Sequence, residues 1–126
     1  MTEKKIKLLI VEDNEQIREL FRRTFIREPQ VEVLEAKNGV DAFKKFQELQ
    51  PDVVLSDVEM PGEIDGISLC QKIKSSANPC HVILISGHGQ QRNVDMGMEA
   101  GADAYKVKPV NPIELIRIVK SFGDKD

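Results

Sequence analysis

Five short apolar runs alternate along this chain with segments whose apolar residues recur every three or four positions, and that alternation limits the fold more than any other feature. The runs are Ile6 to Val11, Val31 to Ala36, Val53 to Leu55 running on to Asp57, His81 to Ile85, and Ala104 to Val107. Val53, Val54 and Leu55 suit a strand buried on both faces of a parallel sheet. Between the runs, Ile17, Leu20, Phe21 and Phe25 mark one helix face, Val40, Ala42, Phe43, Phe46 and Leu49 a second, and Ile67, Leu69, Cys70 and Ile73 a short third. Gln90 to Ala100 makes the weakest helix: Val94, Met96 and Met98 are sparse and Gly97 sits inside it, so this element is expected to be short or mobile. Ile113, Leu115, Ile116, Ile118 and Val119 define the last helix, with Asn111 as its cap and Pro112 in its first turn. Asn14 or Asp13 caps the first helix, Pro29 closes it, Asn38-Gly39 turns into the second, and Pro51 resets the chain before the third run.

Strand-then-helix units imply a parallel sheet with helices on both faces, because right-handed crossovers are nearly obligatory. The expected architecture is a flavodoxin-like, doubly wound α/β fold in three layers, with five strands in the order 2-1-3-4-5 and five helices. With 126 residues, positions 1–126 read as a single domain. A formal net charge of −3, with Lys and Arg spread along the chain, argues against a surface that binds nucleic-acid phosphates. The apolar run Leu8 to Val11 is too brief for a signal-peptide core or a membrane span, so a cytoplasmic protein is expected. Cys70 and Cys80 lack a Cys-x-x-Cys spacing and read as small apolar residues.

In a 2-1-3-4-5 sheet, strands one and three flank the point where the winding reverses, which is where open α/β sheets bind ligands. Glu12-Asp13 after the first run and Asp57 at the end of the third would then share one crevice, with Ser86 and Lys108 brought to the same edge by the fourth and fifth. Like charges held a few ångströms apart cost about 1 kcal/mol or more per pair, so they call for a cation or a proton. Mg²⁺ fits: it takes oxygen ligands, uses one or two carboxylates and prefers phosphate as a further ligand; Mn²⁺ is the alternative. Lys108 and Ser86 would supply an ammonium and a hydroxyl to phosphate oxygens, leaving Asp57 as a carboxylate nucleophile.

In order, Val11-Glu12-Asp13, Asp57-Val58-Glu59-Met60-Pro61, Asp65-Gly66, Ser86-Gly87, Gly101-Ala102-Asp103-Ala104-Tyr105 and Lys108-Pro109 span essentially the whole chain. This set resembles the receiver domain of bacterial two-component response regulators, both the stand-alone chemotaxis regulators and the amino-terminal halves of larger ones. The resemblance implies that Asp57 accepts a phosphoryl group from a phosphohistidine of a sensor histidine kinase or histidine phosphotransfer protein. It implies that Asp13, Asp57, the backbone carbonyl of Glu59 and, through water, Glu12 hold Mg²⁺. Ser86 and Lys108 would contact the phosphoryl oxygens, Tyr105 would turn inward as Ser86 moves, and Glu59 and His88 would tune how long the phosphoryl group survives. A receiver of this kind presents its fourth helix, fifth strand and fifth helix, including Tyr105 and Lys106, to a downstream partner or a second copy of itself. The expected role is thus a signalling phosphoacceptor, not a turnover enzyme, either as a single-domain relay or as the receiver of a larger regulator with a DNA-binding or enzymatic domain.

Taken singly, each residue has a plainer reading. Glu12-Asp13 is a solvated turn, Lys108-Pro109 an exposed lysine before a turn, Tyr105 a half-buried strand residue and His81 a strand-edge residue. A flavin module would want Ser, Thr and Gly after the first strand, where Glu12-Asp13 would repel phosphate. An aspartyl-phosphate phosphohydrolase would want an acid/base Asp two residues after Asp57, where Glu59 stands, and a cap domain. Two departures from the family pattern stand out: the loop from Pro61 to Gly66 is one residue longer than Met-Pro-x-x-Asp-Gly, and Lys106 replaces an apolar residue. The Lys108-Pro109 bond is a candidate for cis geometry.

Overall fold

The computed structural model describes residues 5–87 and 91–123. Among the described residues, strand and helix alternate throughout: β1 (Ile6–Val11), α1 (Glu15–Phe25), β2 (Val31–Ala36), α2 (Gly39–Leu49), β3 (Val53–Asp57), α3 (Gly66–Lys74), β4 (His81–Ser86), α4 (Gln91–Glu99), β5 (Ala104–Val107) and α5 (Pro112–Gly123). The five strands form one sheet in the order β2-β1-β3-β4-β5, and every pairing is parallel. The expected order is therefore met. No described helix is long and apolar enough to cross a membrane.

Period-two alternation along the strands divides the core. Leu9, Val11, Val54, Val82 and Leu84 point to one face, against Ala42 and Phe46 of α2 and Leu69, Cys70 and Ile73 of α3. Leu8, Ile10, Val53, Leu55, Ile83 and Ile85 point to the other, against Phe25 of α1 and Leu115 and Val119 of α5. β3 is buried at all five positions, as its apolar triplet demands. Both thiols are reduced, and burial pushes Cys70 up to about 11 and Cys80 to about 12, which makes them inert packing residues.

Side-chain caps set the helix starts. Asn14, not Asp13, caps α1, accepting the Ile17 N–H at 3.0 Å. Asn38 caps α2 through the Asp41 N–H at 2.7 Å, and Asn111 caps α5 through the Ile113 and Glu114 N–H groups at 2.9 and 3.2 Å. Asp65 caps α3 through the Ser68 N–H at 2.8 Å, a role its place before Gly66 did not announce.

α4 is short, at nine residues, and Gly97 has a specific reason to be there. A Cβ at that position would lie 2.7 Å from Cδ2 of Tyr105 and 3.2 Å from Leu84 Cδ1, so glycine makes room for an aromatic ring at some cost in helix propensity. The longer loop before α3 is seated by Ile64, which packs on the α2–α3 side of the core beside Gly39. His81 opens β4, an interior strand, and its ring stacks on Phe122 of α5 with centroids 4.7 Å apart. The Lys108-Pro109 peptide is cis.

Candidate functional site

Register brings the site together. Val11 pairs with Ser56, Asp57 with Ile85 and Ser86 with Val107, so the carboxyl ends of β1, β3, β4 and β5 lie along one edge. β1 and β3 are adjacent while β2 lies on the outer side of β1, which places the reversal of winding between Glu12-Asp13 and Asp57. Backbone bonds pin this edge: Glu12 N–H donates to Ala36 O at 3.1 Å, Val58 N–H to Ile85 O at 2.8 Å and Lys108 N–H to Ser86 O at 2.8 Å.

Glu12, Asp13 and Asp57 each offer a carboxylate oxygen, and these oxygens lie within 4.8 Å of one another. Asp13 is exposed, whereas Glu12 is 1% and Asp57 8% exposed. Burial is the main reason that the Glu12 carboxyl is pushed up to about 7, with the neighbouring Asp57 charge adding to it and the Asn14 N–H, 3.0 Å from Oε2, pulling the other way. Burial likewise raises Asp57; Lys108 opposes the shift and Glu59 reinforces it. The Lys108 ammonium stands 3.5 Å from Asp57 Oδ1 and 4.0 Å from Glu12 Oε1, close enough for attraction but too far for a good hydrogen bond. Among the described residues, Glu12 Oε1 and Asp57 Oδ1 are accordingly buried with no hydrogen-bond partner. Buried oxygens on charged groups are seldom left so, and Glu12, Asp13 and Asp57 are the residues that would hold a hard cation here.

The flanking residues have definite partners. Ser86 is fully buried and its hydroxyl donates to the Glu59 carboxylate, whose oxygens are 3.0 and 2.9 Å away. Tyr105, on β5, is half-buried with its ring against Gly97 of α4. Lys106 forms an ion pair of 2.5 Å with Glu114 of α5, so its charge is answered within the chain. His88 lies outside the described residues.

Arg18 was not singled out by the sequence, yet its Nη1 donates to the Glu12 carbonyl at 2.9 Å and its Nε pairs with Glu35 at 3.2 Å. It steadies the turn that aims Glu12, and its place one turn beyond the Asn14 cap was the available signal. Asp103 was named in the motif after α4 but given no role. It accepts from Lys74 Nζ at 2.7 Å and from the Val82 N–H at 2.8 Å, tying the start of β4 to α3.

A doubly wound sheet whose switch point holds three clustered carboxylates and a lysine defines an acidic α/β site. Residues 8–120 match the sequence model of the response regulator receiver domain, and the chain belongs to that family, the phosphoacceptor domains of two-component signalling. It is 40% identical over 117 residues to the transcriptional regulatory protein ResD of Bacillus subtilis, an alignment covering 92% of this chain and 47% of ResD. The chain thus spans about half the length of that relative. It is 38% identical over 103 residues to the chemotaxis protein CheY of Halobacterium salinarum, covering 81% of this chain and 83% of CheY. Among solved structures, the signal receiver domain of NarL from Mycobacterium tuberculosis superposes with a TM-score of 0.91 at 27% identity, over 98% of this chain and all of that one.

Proposed function

We propose that residues 1–126 act as one receiver unit in which Asp57 takes the phosphoryl group, a signalling phosphoacceptor and not a turnover enzyme. The observation that carries this reading is Asp57 Oδ1, which is buried, has no hydrogen-bond partner among the described residues and has the Lys108 ammonium 3.5 Å away. A carboxylate in that state is a nucleophile that needs no general base. As a phosphohistidine of a sensor kinase or phosphotransfer protein approaches, an Asp57 oxygen bonds to phosphorus. The phosphorus–nitrogen bond breaks, and the imidazole leaves with the electron pair and takes up a proton. Lys108 holds charge on one phosphoryl oxygen, and the Ser86 hydroxyl is placed at the same edge to donate to another.

Asp13 and Asp57, the backbone carbonyl of Glu59 and, through water, Glu12 would hold Mg²⁺ or Mn²⁺. Three clustered carboxylates and two buried unsatisfied oxygens support that donor set. Bound there, the ion neutralises charge on the transferring group. Glu59 borders the phosphoryl group and tunes its removal by water.

The readout is a shift of population between two states. Phosphorylation adds roughly two negative charges next to Lys108 and Ser86. The face formed by α4, β5 and α5 carries exposed Met96, Met98, Val107 and Ile113, which suits contact with a protein partner or a second copy.

Mass spectrometry after incubation with Mg²⁺ and acetyl phosphate tests the assignment. One phosphoryl group is expected on the parent chain and none on Asp57→Asn; equal labelling of both would overturn it. Sustained turnover of a phosphomonoester would indicate a phosphohydrolase instead.

A further inference from the structure

Ser86 ends β4, and its backbone is fixed on both sides. Its carbonyl accepts the Lys108 N–H at 2.8 Å, and the preceding Ile85 carbonyl accepts the Val58 N–H at 2.8 Å. With strands pinned on either flank, the hydroxyl is redirected most readily by rotation about χ1. A serine hydroxyl has one proton to donate, and here it is directed at Glu59 Oε1 and Oε2, 3.0 and 2.9 Å away. Glu59 is exposed, and it follows Asp57 by two residues, just beyond the Val58 N–H that ties this loop to β4. Its carboxylate is therefore held where it meets the end of β4, and the acceptor is ionic, which makes the bond one of the stronger kind.

We infer that the Glu59 carboxylate is a positioning residue that acts through Ser86: it engages the Ser86 hydroxyl in the unphosphorylated chain and so competes with the phosphoryl group for that proton. The inference rests on the proposed phosphoacceptor reading and deepens it. Glu59 then does more than border the site. It sets how much of the binding free energy of the phosphoryl group is spent on releasing Ser86, and hence how far the switch turns on. The pairing couples positions 27 residues apart, one in the loop after β3 and one at the end of β4.

Removing the Glu59 charge would also ease the approach of any anion, so the effect through Ser86 has to be separated from simple electrostatics. A double-mutant cycle does so. The probe is beryllofluoride, an unreactive stand-in for the phosphoryl group, titrated with Mg²⁺ into the full chain and followed by fluorine NMR. Proteins compared are the parent, Glu59→Ala, Ser86→Ala and the double variant, with Glu59→Gln to retain an acceptor without the charge. The expected result is that Glu59→Ala tightens binding roughly tenfold when Ser86 is present, which corresponds to about 1.4 kcal/mol. In the Ser86→Ala background the gain falls below about twofold, and Glu59→Gln lies in between.

A second readout needs no ligand or metal. Three-bond couplings should show one χ1 rotamer for Ser86 in the parent and averaging over rotamers in Glu59→Ala. Equal gains in both backgrounds, or an unchanged Ser86 χ1, would overturn the competition while leaving Asp57 as the acceptor. Failure of the parent to bind beryllofluoride, or undiminished binding by Asp57→Asn, would overturn the phosphoacceptor reading and this inference with it.

Discussion

Gly66 is the position where the smallest change should do the most damage. It opens α3 directly after the Asp65 cap, and its N–H donates to Val58 O at 2.9 Å, so the first turn of the helix lies against the end of β3. A Cβ added there would stand 2.7 Å from Val58 Cα and 2.9 Å from the Asp57 carbonyl carbon, and closer still to the Asp57 oxygen. Ordinary carbon–carbon contact is about 3.5–4.0 Å, so α3 must retreat by roughly 1 Å from a backbone that cannot yield. Overpacking of this kind costs about 1–3 kcal/mol, and loss of the Gly66–Val58 hydrogen bond about 1 more, while alanine's better helix propensity returns at most about 1. Gly66→Ala should therefore lower stability by about 1–3 kcal/mol. In urea, with a slope of about 2 kcal/mol per molar, the unfolding midpoint followed by circular dichroism should fall by roughly 0.5–1.5 M. Gly87→Ala is the control: among the described residues other than its chain neighbours no atom lies within 4 Å of its added Cβ, and its stability should stay within about 0.5 kcal/mol of the parent. A Gly66→Ala midpoint equal to that of the parent would refute the close-approach argument.

Other outcomes follow from the same contacts. Gly97→Ala places a methyl 2.7 Å from the Tyr105 ring, so the ring must move; Tyr105 is the one tyrosine in a chain without tryptophan, and a change in intrinsic tyrosine emission should report it, unchanged emission counting against the contact. Asp103 is subject to burial, which raises its pKa, but Lys74 and the Val82 N–H outweigh this and hold it below the usual range. Its stabilisation is thus present above the unfolded value of about 3.9 and lost as pH falls through the lower folded value. Asp103→Asn should cost about 1 kcal/mol at neutral pH, and the gap to the parent should close in urea titrations below about pH 4; a gap that widens in acid would refute the assignment.

The order of strands and the address of the site were legible because both depend on local signals. An apolar run that stops on Glu12, Asp57 or Ser86 marks a strand end, and helix periodicity between the runs dictates crossovers that put those ends on one edge. Lys108 followed from its place just beyond β5, and its ammonium is 3.5 Å from Asp57. The cap at Asn111 was equally local, whereas Asn38 was read only as a turn and caps α2. The short span of α4 was legible as composition, but the reason for Gly97 was not: it makes sense only beside Tyr105, which comes from β5.

By itself, then, the sequence determined a parallel α/β sheet in the order 2-1-3-4-5 and the residues that meet at its switch point, since periodicity and strand ends are properties of neighbours along the chain. Tertiary structure alone decided the states of those residues. Burial of Glu12 to 1% exposure, with a carboxyl pushed up to about 7, arises from what packs around it and not from what adjoins it in sequence. The Lys106–Glu114 pair and the tie from Asp103 to Lys74 and β4 likewise join separate elements. The hydroxyl of Ser86 offered a donor whose partner no spacing could name. Only the approach of the loop after β3 to the end of β4, 27 residues apart, lets that hydroxyl donate to Glu59.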